Sequence, residues 1–200
     1  MGYLIGSLSP SAFIAKLKKD DLRKRGTGNL GATNVTMIYG RLMGVLVMIF
    51  DISKSFAVFK IAELIAPEVI SNDVPIMGLV ASSAAVVGHI FPFYMKFKGG
   101  KGVATLGGMV LAYDPLVFLL LLVFGMLLML IFNYGFMLTC SGGVLFCIVT
   151  TWQTHSWTTA IATGIVAGLV IWKHIPNIKN AGTTKEIRAR DYIKKHIFKK

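Results

Sequence analysis

Long apolar runs alternate with short polar stretches along most of the 200-residue chain. An α-helix needs roughly 20 mostly apolar residues to cross the hydrocarbon core of a bilayer, and several runs approach that length. The pattern therefore predicts an all-α integral membrane protein with about seven transmembrane helices. The runs near 2–16 and 103–113 are short for a full crossing, so five helices is the alternative count. The other predicted spans lie near 43–65 and 76–95, and in the apolar region after 113, which polar breaks at 133–135 and 151–159 divide.

Composition supports a membrane protein over a soluble one. Hydrophobic residues make up 54% of the chain and charged residues only 15%, whereas soluble domains carry about 25% charge. The net charge of +12 would suggest nucleic acid as the partner of a soluble protein. Here the charge is clustered between apolar runs, so membrane lipid headgroups and anionic substrates are the expected partners, and nucleic acid is not. We interpret residues 1–200 as a single membrane domain.

The positions of the lysines and arginines predict the orientation. They concentrate at 16–25, around 96–101 and from 173 to the end, and the positive-inside rule places such clusters in the cytoplasm. With seven spans, the N-terminus is then outside and the C-terminus cytoplasmic. Glu68 and Asp73 fall in a loop expected on the outer side.

The last segment, 174–200, is predicted to be a basic cytoplasmic tail. Apolar residues at Ile187, Ile193 and Ile197 fit a short amphipathic helix on the inner leaflet. A solvated, charged tail without such a helix is the alternative.

Three segments at the expected cytoplasmic face could carry chemistry, and the first is GTGNLGATNVT at 26–36. Its glycines allow close backbone approach and positive φ. It opens the second predicted helix, where free N–H groups and the helix dipole favour an anion. A tight hairpin with a helix cap is the structural alternative. The candidate site residues of this segment are Thr27, Gly28, Asn29, Gly31, Thr33 and Asn34.

The second segment is GHIFPFYMKFKGGKGVAT at 88–105. A glycine-rich backbone with lysines that leads into a helix is typical of a phosphate-binding loop. It is not a Walker A loop, because Gly102 stands where Ser or Thr should follow the lysine. Lysines that only anchor the chain at the lipid surface would not need the glycines. The candidate binding residues are Lys98, Gly99, Gly100, Lys101 and Gly102.

Other candidates are polar residues inside or next to apolar runs. His89 is unusual in a membrane helix and fits either a helix-packing contact or catalysis. Asp51 and Lys54, three apart in one span, could neutralise each other, and we favour a structural role for that pair. In the third segment, WKHIPNIKNAGTTKE at 172–186, His174 and Asn177 share a helix face unless Pro176 ends or bends the helix.

The three segments, in this order, resemble those of the bacterial acyl-phosphate:glycerol-3-phosphate acyltransferases. That family shows GSGNxGxTN, then GHxxPxxxxFKGGKGVAT, then HxxNIxR followed by Glu. The second element matches almost without change. The stretch GSLSPSAFIAKL at 6–17 and the D-x-x-K pair are also similar, so the resemblance covers essentially the whole chain.

The resemblance implies a seven-helix enzyme of the bacterial inner membrane with its active site on the cytoplasmic side. Such enzymes transfer a fatty acyl group from acyl phosphate to the 1-hydroxyl of sn-glycerol 3-phosphate. The products are lysophosphatidic acid and phosphate, in the first step of phospholipid synthesis. No cofactor, metal or acyl-CoA donor is implied. The residues expected to be catalytic are Thr27, His89, Lys101, His174 and Asn177.

The chain departs from the family pattern at two arginines, which are Met37 and Asn180 here. Arg41 lies one turn after Met37 on the same predicted helix face, and helical side chains lean toward the N-terminus. We therefore expect Arg41 to take over part of the phosphate contact. An anchor at the membrane surface is the alternative role for Arg41. A degenerate relative that binds a phospholipid or phosphometabolite without acyl transfer is the second hypothesis for the whole protein. A small transporter is the third, and the sequence lacks the paired broken helices that would support it.

Overall fold

The computed structural model describes residues 1–66, 70–71 and 74–196, and the chain there is almost entirely helical. Two short 3₁₀ turns occur at Leu22–Lys24 and Phe93–Met95, and the two-residue strands β1 (Ile70–Ser71) and β2 (Val74–Pro75) pair antiparallel. The helices are α1 (Gly2–Ser7), α2 (Pro10–Leu17), α3 (Ala32–Tyr39), α4 (Arg41–Ile65), α5 (Ile76–Ile90), α6 (Val103–Tyr113), α7 (Pro115–Phe132), α8 (Phe136–Thr154), α9 (Trp157–Asn180) and α10 (Ala189–His196).

Within the described residues, five helical segments are long and apolar enough to cross a membrane: α4, α5 with its 3₁₀ extension, α7, α8 and α9. The all-helical membrane fold expected from the sequence is therefore confirmed. Neither of the two short predicted spans forms a helix long enough for a full crossing. Helix α6 has 11 residues, about 16 Å of rise against a hydrocarbon core of about 30 Å. The first run is divided between α1 and α2, because Ser9 caps α2 and Pro10 occupies its first turn.

The polar breaks in the apolar sequence end and start helices by ordinary capping. Asp114 accepts hydrogen bonds from Leu116 N and Val117 N and so begins α7. Asn133 ends α7 in the left-handed conformation, with φ 64°. Asp114 thus supplies unpaired N–H groups at the start of α7 with an acceptor, and the left-handed Asn133 ends the helix. Only Gly125 of helix α7 is buried, and most of its other side chains are exposed, as expected for a helix with one face toward lipid.

The bundle is tightly packed around α5. Helix α1 lies against it so closely that a Cβ on Gly6 would collide with the backbone of Ala85, and a Cβ on Gly88 with the backbone of Tyr3. On its other side, α5 joins a core shared with α6, α8 and α9, which includes Val86, Met109, Phe146 and Val170. Close packing at α5 matters because this helix carries His89 at its end.

Three boundaries differ from the sequence expectation. Gly40, with φ 90° and ψ 170°, separates α3 from α4, so Met37 and Arg41 are not on one continuous helix. Helix α9 continues through Pro176 to Asn180, so the tail begins near 181 rather than at 174. Its helix α10 begins only at Ala189, and Ile197 lies outside the described residues, as do Glu68 and Asp73.

Candidate functional site

A cavity of about 450 Å³ opens between α3, α4, α6, α7 and α8. Along α6 its wall passes from Lys101 and Gly102 to Leu106 and Val110. We call the part lined by Asn29, Thr33, Asp51, His89 and Lys101 the polar end, and the part beyond it along α6 and α7 the apolar end. The apolar lining comes mainly from Leu106, Val110, Phe118, Leu121, Leu122 and Leu138. The cavity can therefore accommodate a molecule that joins an anionic group to a hydrocarbon chain.

The first motif reaches the cavity with part of its residues. Asn29, Gly31 and Thr33 line the polar end, whereas Thr27 and Gly28 are exposed at the surface of the loop. Gly28 has φ 71°, a left-handed conformation that favours glycine. The motif thus folds as a loop that leads into α3, and the N-terminal end of α3 lies beside the cavity.

Asn34 is an internal support of this loop rather than a cavity residue. It is fully buried. Its Oδ1 accepts from Thr27 N at 2.8 Å, and its Nδ2 donates to Leu22 O at 3.0 Å and Arg25 O at 3.1 Å. Because the amide is engaged with backbone, the expected direct contact of Asn34 with substrate is corrected to a positioning role.

The glycine-rich loop is tied back onto the end of α5. Gly99 N donates to Ile90 O at 3.0 Å, and Gly100 N donates to His89 O at 3.1 Å. These N–H groups are therefore occupied within the protein, so the expectation that they bind phosphate is wrong for this conformation. The glycines instead permit close contact, since a Cβ on Gly100 would collide with His89 Nε2.

Within the same loop the two lysines point to different environments. Lys98 is exposed, whereas Lys101 is partly buried and lines the cavity next to Gly102, which caps α6 with φ 85°. Burial lowers the pKa of the Lys101 ammonium below its usual value, and the Glu186 carboxylate opposes that shift. Lys101 is thus the cation of this loop that faces the cavity.

Residues of the third motif bind the ammonium group of Lys101. Lys101 Nζ donates to Asn177 Oδ1 at 2.6 Å, and Asn177 Nδ2 donates to both carboxylate oxygens of Glu186, at 3.0 and 2.8 Å. His174, one turn before Asn177, is buried and its Nδ1 lies 2.8 Å from Val170 O. Neither His174 nor Asn177 lines the cavity. The geometry makes Asn177 a link between a cation and a carboxylate.

Asp51 and Lys54 belong to a larger buried cluster than the ion pair predicted from the sequence. The predicted pair is confirmed, with Lys54 Nζ 2.7 Å from Asp51 Oδ1 and both side chains 3% exposed. The structure adds that Lys54 Nζ lies 3.0 Å from His89 Nδ1 and donates to Leu8 O at 2.8 Å. Asp51 lines the cavity as well. The presence of two charges and a histidine inside apolar runs was the available indication of this cluster.

Arg41 and Met37 do not share a helix face. The expected phosphate contact of Arg41 required one continuous helix, and Gly40 interrupts it. Arg41 is exposed at the start of α4, and it does not line the cavity. The premise of a continuous helix is therefore wrong, and a substrate contact by Arg41 stays a prediction.

Fold and site together define an integral membrane protein with a cavity for an amphiphilic anion. The family model described as glycerol-3-phosphate acyltransferase matches residues 1–183, and the chain belongs to that family. A glycerol-3-phosphate acyltransferase of Aquifex aeolicus is 36% identical over 189 residues, which is 93% of this chain and 94% of the relative. One from Macrococcus caseolyticus is 34% identical over 196 residues, 94% of each chain.

Solved structures agree with this assignment. The chain is similar to a crystal structure of PlsY, an integral membrane glycerol 3-phosphate acyltransferase, in its glycerol 3-phosphate form. The TM-score is 0.79 at 34% identity, over 94% of this chain and 91% of that one. A lysophosphatidic acid form of PlsY gives a TM-score of 0.77 at 32% identity, over 96% of this chain and 94% of that one. The resemblance drawn from the three motifs is thereby confirmed.

Proposed function

We propose that this protein transfers a fatty acyl group from acyl phosphate to the 1-hydroxyl of sn-glycerol 3-phosphate, forming lysophosphatidic acid and phosphate. The observation that carries the proposal is the two-ended cavity of a chain that belongs to the family. Its polar end offers Lys101 for phosphate, and its apolar end offers a surface for an acyl chain. The solved relatives bound to glycerol 3-phosphate and to lysophosphatidic acid support both ends of this assignment.

The residues divide between binding and support. Lys101 binds a substrate phosphate, while Asn177 and Glu186 fix the position of its ammonium. Asn29 and Thr33 offer an amide and a hydroxyl at the polar end. Contacts with substrate by the remaining sequence candidates rest on the family resemblance. These candidates are Thr27, Gly28, Arg41, Lys98 and His174, whereas Gly31 and Gly102 line the cavity.

The chemistry needs little from the protein beyond positioning and charge stabilisation. The glycerol hydroxyl oxygen attacks the acyl carbon, the bond from that carbon to the phosphate oxygen breaks, and the hydroxyl proton leaves with the phosphate. An acyl phosphate is an activated donor, so no cofactor is needed to balance the reaction.

We also propose that the chain crosses the bacterial inner membrane seven times, with the N-terminus outside and the site on the cytoplasmic side. Lys101, before α6, contacts Asn177, and Asn133, after α7, accepts from Arg190 N at 2.9 Å. Both ends of the α6–α7 pair therefore meet the same C-terminal region. This supports two crossings between them despite the shortness of α6. Met1 and Ile65, the last residue of α4, line the same small pocket. This end of α4 is opposite to the end at Arg41, which follows the first motif on the proposed cytoplasmic side. The position of Met1 therefore supports an N-terminus outside.

Purified protein in lipid nanodiscs tests the reaction. Acyl phosphate with radiolabelled glycerol 3-phosphate should give lysophosphatidic acid, whereas acyl-CoA should not replace acyl phosphate. Lys101→Met should remove most of this activity, and Lys60→Met, which changes an exposed lysine of α4, should keep it. Tight binding of either substrate without turnover would overturn the proposal in favour of a degenerate binding protein.

A further inference from the structure

The cluster of Asp51, Lys54 and His89 fixes which nitrogen of the His89 ring carries hydrogen. Lys54 Nζ has three neighbours at hydrogen-bonding distance: Leu8 O at 2.8 Å, Asp51 Oδ1 at 2.7 Å and His89 Nδ1 at 3.0 Å. An ammonium group has three hydrogens and no lone pair. Each of the three neighbours can therefore take one hydrogen, with His89 Nδ1 as an acceptor. The competing contact, in which Nδ1–H donates to Asp51 Oδ1, is longer at 3.4 Å.

The alternative arrangement is a neutral Lys54 amine that accepts from His89 Nδ1–H. It would leave the Asp51 carboxylate, 3% exposed, without a cation at 2.7 Å. A buried carboxylate without a partner is strongly disfavoured. A doubly protonated His89 is disfavoured too, because its Nδ1–H would point at the Lys54 ammonium. The charged Lys54 and the uncharged His89 with hydrogen on Nε2 are the consistent pair.

The remaining nitrogen, Nε2, belongs to a ring that lines the cavity. His89 lines the polar end of the cavity, and Nε2 lies against Gly100 at the place where a Cβ would stand. Among the described residues, no hydrogen-bond acceptor of Nε2 is found. The ring cannot easily turn away, because Nδ1 is held by Lys54 and the His89 carbonyl by Gly100 N.

Resting on the acyltransferase function proposed above, we infer that Lys54 holds His89 as its Nε2–H tautomer, and that this N–H donates to the acyl carbonyl oxygen of acyl phosphate. His89 is then a hydrogen-bond donor and not a general base. The Asp51–Lys54–His89 wall carries no net charge, whereas Lys101 is cationic. The anionic phosphate therefore lies on the Lys101 side and the uncharged carbonyl faces His89.

The step is one of charge stabilisation. As the glycerol oxygen bonds to the acyl carbon, the carbonyl oxygen becomes negative, and the Nε2–H bond to it strengthens. The negative charge returns when the carbon–oxygen bond to phosphate breaks, and the phosphate takes the hydroxyl proton. His89 keeps its own hydrogen throughout, and Lys54 is a positioning residue.

Three substitutions at one position separate a donor from a base. His89→Gln can place an amide N–H near the former Nε2, while His89→Asn reaches only as far as the former Nδ1. Loss of one such donor typically lowers kcat by about 10²–10³-fold. We expect that loss for His89→Ala and His89→Asn, and a kcat for His89→Gln at least about tenfold above theirs. Equal losses in the three variants would overturn the donor role. His155→Gln, at an exposed histidine that ends α8, is the matched control and should keep wild-type kcat.

Nitrogen NMR of ¹⁵N-histidine-labelled wild-type protein tests the tautomer without any variant. The signal assigned to His89 by its loss in His89→Gln should show an unprotonated Nδ1 and a protonated Nε2. Hydrogen on Nδ1 would overturn the inference. Lys54→Met should move the hydrogen to Nδ1, which can then donate to Asp51 Oδ1 at 3.4 Å, and should lower kcat with little change in KM for glycerol 3-phosphate. Wild-type protein without acyl transfer would refute the proposed function, and the NMR result would still decide the tautomer.

Discussion

Substitution of Gly100 by alanine tests how tightly the glycine loop and His89 depend on each other. The added Cβ would collide with His89 Nε2 and lie 2.9 and 3.1 Å from the ring carbons Cε1 and Cδ2. Ordinary contacts are about 3.5–4.0 Å, so relief of the collision with Nε2 requires the ring or the loop to move by about 1 Å or more. Because Lys54 holds the ring, we expect the loop to move and the bond from Gly100 N to His89 O to weaken.

The size of the effect follows from that displacement. A misplacement of about 1 Å in an active site can cost about 10²-fold in rate, which is about 2.7 kcal/mol in the barrier. Overpacking of a core typically costs about 1–3 kcal/mol in stability. Gly100→Ala should therefore lower kcat/KM by about 10²-fold and also lower the apparent melting temperature in detergent.

Initial rates of lysophosphatidic acid formation and thermal unfolding measure these two effects. Gly168→Ala is the matched control, since a Cβ there meets nothing within 4 Å on α9, and it should change neither quantity adversely. The contact with the ring can be isolated by a double-mutant cycle. In a His89→Ala background, the stability cost of Gly100→Ala should largely disappear. Wild-type kcat/KM in Gly100→Ala would refute the reasoning, as would a stability cost that persists without the ring.

Three further predictions concern the other motifs. Asn34→Ala removes three hydrogen bonds of a fully buried side chain. At about 1 kcal/mol for each bond, it should lower the free energy of unfolding by about 3 kcal/mol, and an unchanged denaturation midpoint would contradict this. Asn177→Ala breaks the link between Lys101 and Glu186 and should lower kcat/KM for glycerol 3-phosphate about tenfold or more, whereas an effect on stability alone would speak against the link. Met37→Arg should lower KM for glycerol 3-phosphate, because position 37 lies one turn after the cavity residue Thr33; a KM equal to wild type would count against a phosphate site there.

The sequence predicted the helical membrane fold and the family because both depend on strong local patterns. Long apolar runs require helices in lipid, and capping residues such as Asp114 and Ser9 stand where the helices begin. The boundary between α3 and α4 was harder to predict. Gly40 is one glycine in a run that reads as continuous helix, and its φ of 90° is decided by packing that no local pattern reveals.

The candidate site was predicted in its residues more than in its arrangement. Lys101 and His89 were expected near the site, and both line the cavity. The roles of the glycines were not predicted. A glycine whose N–H binds phosphate and a glycine whose N–H donates to a backbone carbonyl look the same in a sequence. Gly100 N donates to His89 O, and Asn34 bonds to Leu22, Arg25 and Thr27. These contacts form only because each loop folds back on the chain just before it, and the residue types of the motif do not indicate that path.

The last prediction concerns whether the buried ion pair of Asp51 and Lys54 stabilises the fold or serves acyl transfer. Desolvation of two charges offsets much of their attraction, and replacement of a buried pair by apolar residues of similar size is often neutral or stabilising by about 1–4 kcal/mol. If the pair served packing alone, apolar residues would therefore do as well at positions that are 3% exposed. We expect the double variant Asp51→Leu with Lys54→Met to keep or exceed the wild-type melting temperature while its acyl transfer falls, because His89 loses both partners of Nδ1. The single variant Lys54→Met should be less stable than the double, since it leaves Asp51 buried without its cation. A double variant that unfolds readily would show instead that the pair, together with its bond to Leu8 O, holds the helices together.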